Sequence, residues 1–161
     1  MLTGTFTSND AFDTRMLPLA TVLKNGSAAA RIGSVGNFNK VTAGAPASQA
    51  VTSGFQPGAV FLTSYQMGTQ ASTLNESICG LGLGASDGIN EASSAITSLD
   101  GQATSVVDGI DKSSKVFLKM NTPPLDAEAD MTSFGASGFT LNWTTNDTTA
   151  SQICFLALGA P

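Results

Sequence analysis

The most informative absences in this 161-residue sequence are histidine, which does not occur, and charge, which only 12% of the residues carry. Without histidine the chain can form neither a Ser-His-Asp or Cys-His nucleophilic site nor a histidine-ligated zinc site. Seven basic residues against twelve acidic ones give a formal charge of −5 and leave no basic surface for nucleic acid. These absences exclude histidine-dependent hydrolases, histidine-ligated zinc proteins and electrostatic nucleic-acid binders.

Cysteine and long apolar runs are also scarce. Two cysteines, Cys79 and Cys154, are too few for a disulfide scaffold. Cys154 stands in an apolar strand pattern, which favours a buried thiol over a Cys79–Cys154 bridge. The apolar stretches 59–62 and 153–158 are far shorter than a membrane span. The first residues lack a basic and apolar export signal, so we expect a protein made in the cytoplasm, without membrane contact.

Small and weakly polar residues are abundant instead, and their pattern is that of strands and turns. Phe139, Leu141 and Trp143 alternate with polar residues, as in a half-buried strand. Segment 152–158 (QICFLAL) is apolar on both faces, which predicts a central strand packed on each side. Segment 89–99 (INEASSAITSL) leaves helix and strand open. The fold predicted is all-β, an antiparallel two-sheet β-sandwich, jelly-roll-like, with an N-terminal extension.

Glycine and Asx residues mark the predicted turns and one close contact. Segment 135–138 (GASG) predicts a turn between two strands, and Asn146-Asp147 predicts another. Segment 80–84 (GLGLG) lacks the Gly-Lys-Ser/Thr ending of a phosphate loop, so phosphate binding is not expected. It predicts a strand whose backbone approaches another backbone closely.

Two regions follow from these patterns: an N-terminal extension or arm at 1–35 and a β-sandwich domain at 36–161. The extension contains a proline-interrupted apolar segment, 16–23 (MLPLATVL), which favours edge or extended structure. Two interpretations remain open. The extension adds two strands to the sandwich, or it is an arm that packs on a neighbouring subunit.

The candidate site residues are three carboxylates. Asp126, Glu128 and Asp130 alternate, so on a strand they share one face about 7 Å apart, and calcium binding would relieve their repulsion. The alternative is a solvated outer face with the intervening residues turned inward. A glycosidase pair is not expected, because one strand face cannot place two carboxyls across a cleft. Tyr65 and Trp143 could form a sugar platform, although the alternation favours a core position for Trp143.

Four segments carry a resemblance: 54–60 (GFQPGAV), 125–134 (LDAEADMTSF), 138–147 (GFTLNWTTND) and 155–159 (FLALG). In their residues and in their order along the chain, they resemble a small virion or tail protein domain that is encoded in the structural gene clusters of tailed bacteriophages. The resemblance covers about residues 36–161. One departure is Gly58, at a position that is often basic in that family.

The resemblance implies a β-sandwich virion component and no catalytic residues. We therefore expect a non-enzymatic structural protein located in the virion, and first of all a capsid decoration (cement) protein. Its expected partners are copies of itself, in a homo-oligomer with a trimer favoured, and the major capsid protein or other virion proteins. No cofactor is expected unless calcium binds at the carboxylates. The alternative is a tail or fibre component, or a module that binds glycan or protein on the host surface.

Overall fold

The fold consists of ten strands of three to nine residues in the described part of the chain. The computed structural model describes residues 33–66, 68–69, 78–104, 106–121 and 124–159. Within the unit Ile32–Pro161 these residues form β1 (Gly33–Asn39), β2 (Ala47–Thr52), β3 (Pro57–Ser64), β4 (Ile78–Ser86), β5 (Glu91–Leu99), β6 (Val106–Lys112), β7 (Phe117–Lys119), β8 (Ala127–Gly135), β9 (Gly138–Thr145) and β10 (Gln152–Gly159). None of the described segments is a helix that could span a membrane.

The strands form two antiparallel sheets, which confirms the predicted all-β two-sheet sandwich. The larger sheet has the order β1-β10-β3-β4-β5-β6 and the smaller one has the order β2-β9-β8-β7. Segment 89–99, which the sequence left between helix and strand, contains β5. The hairpin predicted at 135–138 joins β8 to β9. Residues 33–35 belong to β1, whereas the predicted extension up to residue 32 lies outside the described residues.

The core lies between the two sheets and is rich in aromatic residues. Trp143, Phe139 and Leu141 of β9 point inward and are at most 1% exposed, as their alternation predicts. The ring of Phe139 meets that of Phe155 edge to face, with 5.5 Å between centroids. Trp143 meets Phe117 in the same way at 6.2 Å. Edge-to-face pairs of this kind add stabilisation beyond that of the buried area.

The glycines of β4 allow the two sheets to approach closely, as predicted for segment 80–84. A Cβ atom built on Gly84 would lie 1.8 Å from the carbonyl oxygen of Val116, just before β7. On Gly82 it would lie 2.6 Å from the carbonyl oxygen of Leu118. Since real Cβ atoms never come so near to a backbone oxygen, only glycine fits at these positions.

Strand β10 departs from its prediction. Ile153, Phe155 and Ala157 pack in the core, but the alternate residues, which include Leu156 and Cys154, point out of the sandwich and are exposed. Among the described residues, the larger sheet has a second sheet on one side only, so the prediction that this strand is packed on both sides is wrong for this part of the chain. The buried thiol predicted for Cys154 is wrong for the same reason. Both cysteines are free.

Candidate interaction surface

The outer side of the six-stranded sheet carries a continuous set of exposed apolar side chains, called here the apolar sheet face. Because side chains alternate along a strand and paired residues share a side, the strand register identifies its members. Its large residues are between 38% and 80% exposed. They are Val35, Phe61, Leu81, Leu83, Ile96, Val107, Leu156 and Leu158.

Charge is almost missing from the apolar sheet face. Its other outward positions hold Gly, Ala, Ser, Thr, Cys, Asn and Gln, and Asp111 is the single charged residue among the outward positions of these six strands. Asp111 lies in β6, at the edge of the sheet. An open depression of about 520 Å³ lies between Val35, Phe61, Leu83 and Leu156. The face thus combines apolar projections with a hollow and lacks charged groups at its middle.

The outer side of the four-stranded sheet is polar, which makes the sandwich asymmetric. Ser48 lies opposite Asn142, and Asn142 lies opposite Asp130 across the three neighbouring strands. Thr140 lies between two small residues, Ala50 and Ser133. An antiparallel sheet commonly has one face packed and one face solvated, and the smaller sheet follows that rule. The larger sheet does not.

The three predicted cation ligands lie at the start of β8, and each carboxylate has partners within the protein. Asp126 accepts a hydrogen bond from a backbone N–H in the β7–β8 connection. Glu128 forms an ion pair with Lys112, and Asp130 forms one with Lys115 at 2.7 Å. The intervening Ala127 and Ala129 are fully buried, so they turn inward as the solvated-face interpretation predicts, but the face itself is only partly solvated, since the Glu128 side chain is 13% exposed.

Lysine supplies the counter-charge in this region. Burial opposes ionisation of Glu128, but the hydrogen bond and charge of Lys112, the charge of Lys115 and a hydrogen bond from Thr144 outweigh it, so the pKa of Glu128 lies below its ordinary value. Across the described ranges, no three Asp, Glu or Cys residues are placed to hold a metal ion together. Calcium binding by Asp126, Glu128 and Asp130 stays a prediction.

Lys40, Lys119 and Asp147 form a charge cluster that joins the two sheets at one end of the sandwich. It is called here the buried charge cluster because its two lysines are buried, although the Asp147 side chain is 25% exposed. Lys40 follows β1, Lys119 ends β7, and Asp147 lies in the β9–β10 connection. Both lysine side chains are fully buried. The Nζ of Lys40 is 2.8 Å from Asp147 Oδ1, and the Nζ of Lys119 is 2.5 Å from Oδ2. One carboxylate therefore holds two ammonium groups.

Further contacts satisfy the excess ammonium group. Lys40 Nζ also donates to Asn146 Oδ1 at 2.6 Å and to the carbonyl oxygens of Val41 and Asp147. It lies 5.5 Å from the ring centre of Trp143, within the range of a cation–π contact. Burial lowers the pKa of Lys40, and the bond to Asp147 offsets this only in part. Burial raises the pKa of Asp147, but the two lysines outweigh it and the net shift is downward.

Sequence reasoning missed this cluster. Asn146 and Asp147 lie in the β9–β10 connection, where a turn was predicted, but residues 146–151 form no hydrogen-bonded turn and the two side chains contact distant segments instead. The signal was a lysine inside an apolar run, 116–120 (VFLKM), which is buried throughout. Of the two aromatic residues considered for sugar binding, Trp143 is a core residue and Tyr65 is 46% exposed.

Compared with protein-family models, with curated proteins and with solved structures, the chain gives no match. The fold and the two outer faces are therefore the basis for a functional interpretation.

Proposed function

We propose that this chain is a non-enzymatic structural protein of a tailed-phage virion, and specifically a capsid decoration protein that acts as a rigid, self-associating β-sandwich. The observation that carries the proposal is the apolar sheet face. The sequence resemblance at 54–60, 125–134, 138–147 and 155–159 supplies the virion context, and it remains a resemblance.

The apolar sheet face supports assembly because of its size and its lack of charge. Soluble monomers rarely expose a contiguous apolar patch of this kind, and a larger patch marks an interaction site. The centres of protein interfaces are depleted of charged residues, as the middle of this face is. Covering Phe61, Leu83 and Leu156 would remove apolar area from water at a gain of about 25 cal/mol per Å².

The rest of the sandwich supports a role as a rigid block. The close contact of β4 with β7, together with the buried charge cluster, fixes the two sheets against each other. A decoration protein would use such a block to bridge neighbouring capsid subunits against the pressure of packaged DNA. In this proposal the extension at 1–35 makes further contacts with neighbouring subunits, as the arm interpretation of the sequence suggests.

Sedimentation with undecorated capsids tests this function. We expect the full chain to bind them saturably, at a fixed ratio to the capsid subunits, and to raise the temperature at which they release DNA. A chain without residues 1–32, which keeps all of β1 and is shown by circular dichroism to be folded, measures the contribution of the extension. Binding to tails or to host cells, with no binding to capsids, would overturn the decoration role in favour of the alternative functions. Parallel samples with calcium and with chelator test the carboxylates of β8.

A further inference from the structure

The apolar sheet face is more exposed than the folded chain requires. Strand β10 has the continuous apolar sequence of a strand buried on both sides, yet the described part of the chain packs against only one side of it. Sequences of this type occur where a sheet is covered on both faces. The smaller sheet of the same protein shows that the chain can make a polar outer face where it meets water. The apolar residues of the larger sheet therefore indicate a covering partner.

We propose that a second copy of this chain covers the apolar sheet face, so that two six-stranded sheets pack against each other about a two-fold axis. This inference rests on the proposed function, since it names the contact through which the structural protein would self-associate, and it takes a dimer in place of the trimer favoured in the sequence analysis. The dimer would be a stack of four sheets, with the polar faces of the two small sheets outermost.

The area of the face matches what a stable dimer needs. Six strands spaced about 4.8 Å apart span about 24 Å. Strands of seven to nine residues, at about 3.3 Å per residue, are roughly 23 to 30 Å long. Each copy thus offers about 650 Å² and the pair about 1,300 Å², before the additional area of the protruding side chains is counted. Specific interfaces bury about 1,200 to 2,000 Å² in total.

The distribution of charge favours a second copy over a charged partner. About a two-fold axis, each residue near the axis meets the same residue of the other copy. A charged side chain near the axis would therefore face the same charge on the other copy. The middle strands, β3 and β4, present Phe61, Thr63 and Leu83, which can meet their own copies without repulsion. The charged Asp111 lies in the edge strand β6, at the rim where solvent can reach it.

Sedimentation equilibrium of the full chain tests the proposal. We expect a dimer, which Phe61→Glu and Leu83→Glu weaken at least about a hundredfold because each places two unpaired charges at the centre of the interface. Ala50→Glu is the matched control. It adds the same charge at an exposed outward position of the smaller sheet, and it should leave the dimer unchanged. Circular dichroism and urea midpoints confirm that the variants are folded.

The two cysteines give a second measurement that needs no substitution. Cys79 and Cys154 are exposed in the single chain, and both belong to the apolar sheet face. In the dimer they become buried, so the rate of labelling by a thiol reagent should fall as the protein concentration rises. In Phe61→Glu the rate should be fast at every concentration.

The outcomes separate this inference from the proposed function. A wild-type chain that is monomeric at all concentrations overturns the dimer. A trimer also overturns it, and so does any oligomer that persists in the Phe61→Glu variant. If a monomeric chain binds capsids and Phe61→Glu abolishes that binding, the capsid covers the face: the dimer is refuted and the decoration role stands. A dimer that binds no capsid supports the inference and refutes the decoration role.

Discussion

Replacing Asp147 by asparagine removes the single carboxylate that holds two fully buried ammonium groups. Breaking a buried ion pair from one side costs about 3 to 5 kcal/mol, because the remaining charge is left uncompensated. Against a total stability of about 5 to 15 kcal/mol, Asp147→Asn should lower the melting temperature by roughly 10 to 20 °C. Urea unfolding, followed by the fluorescence of the single buried tryptophan, measures the loss.

Two further variants decide whether charge is the cause. Lys119→Met leaves Lys40 and Asp147 as a balanced pair, so it should cost clearly less than Asp147→Asn. Asp111→Asn makes the same chemical change at an exposed position and should alter stability by no more than about 0.5 kcal/mol. The reasoning is refuted if Lys119→Met destabilises as much as Asp147→Asn, or if the effect of Asp147→Asn is as small as that of Asp111→Asn.

The remaining predictions concern pH, packing and a buried hydrogen bond. Because the pKa of Asp147 is lowered below its ordinary value of 3.8, its stabilisation is present above that pH and is lost as the pH falls below it; the urea midpoint of Asp147→Asn should therefore fall less between pH 5 and pH 2 than that of the wild type. Gly84→Ala should destabilise by at least about 2 kcal/mol through its clash with Val116, whereas Gly109→Ala, whose Cβ would lie 3.6 Å from the nearest atom, should be near neutral in the same unfolding assay. Gln49→Leu removes the acceptor, at 2.9 Å, of the tryptophan indole N–H and should cost about 1 to 3 kcal/mol; an unchanged midpoint would show that another acceptor replaces it.

Local patterns in the sequence predicted the all-β, two-sheet class correctly, but not the order of the strands. The alternation of Phe139, Leu141 and Trp143 gives both the strand and its inward side, since the period of two fixes which residues share a face. The glycines at 80–84 likewise predicted a close backbone contact. These glycines alone did not identify Val116 and Leu118 as the backbone that they contact, because the pairing of distant strands is not encoded in a single segment.

The parts that were missed depend on contacts between distant segments. An apolar run that contains one lysine, 116–120, does not show whether Lys119 is buried, because the carboxylate that permits its burial, Asp147, comes from the distant β9–β10 connection. The error at Cys154 has a different cause. An apolar strand with two apolar sides predicts cover on both sides, and the sequence does not distinguish cover by the same chain from cover by a second molecule.

The pairing of β1 with β10 determines how the sandwich responds to a pulling force. Gly33 lies opposite Leu158, so the chain enters β1 and leaves β10 at the same end of this antiparallel pair. Tension applied between Gly33 and Gly159 would separate β1 from β10 one hydrogen bond at a time. It would not load all the hydrogen bonds of the pair in shear at once. Such a geometry yields at low force. A mechanically strained assembly would keep this domain intact where the force passes through the sheet faces and is not applied between Gly33 and Gly159.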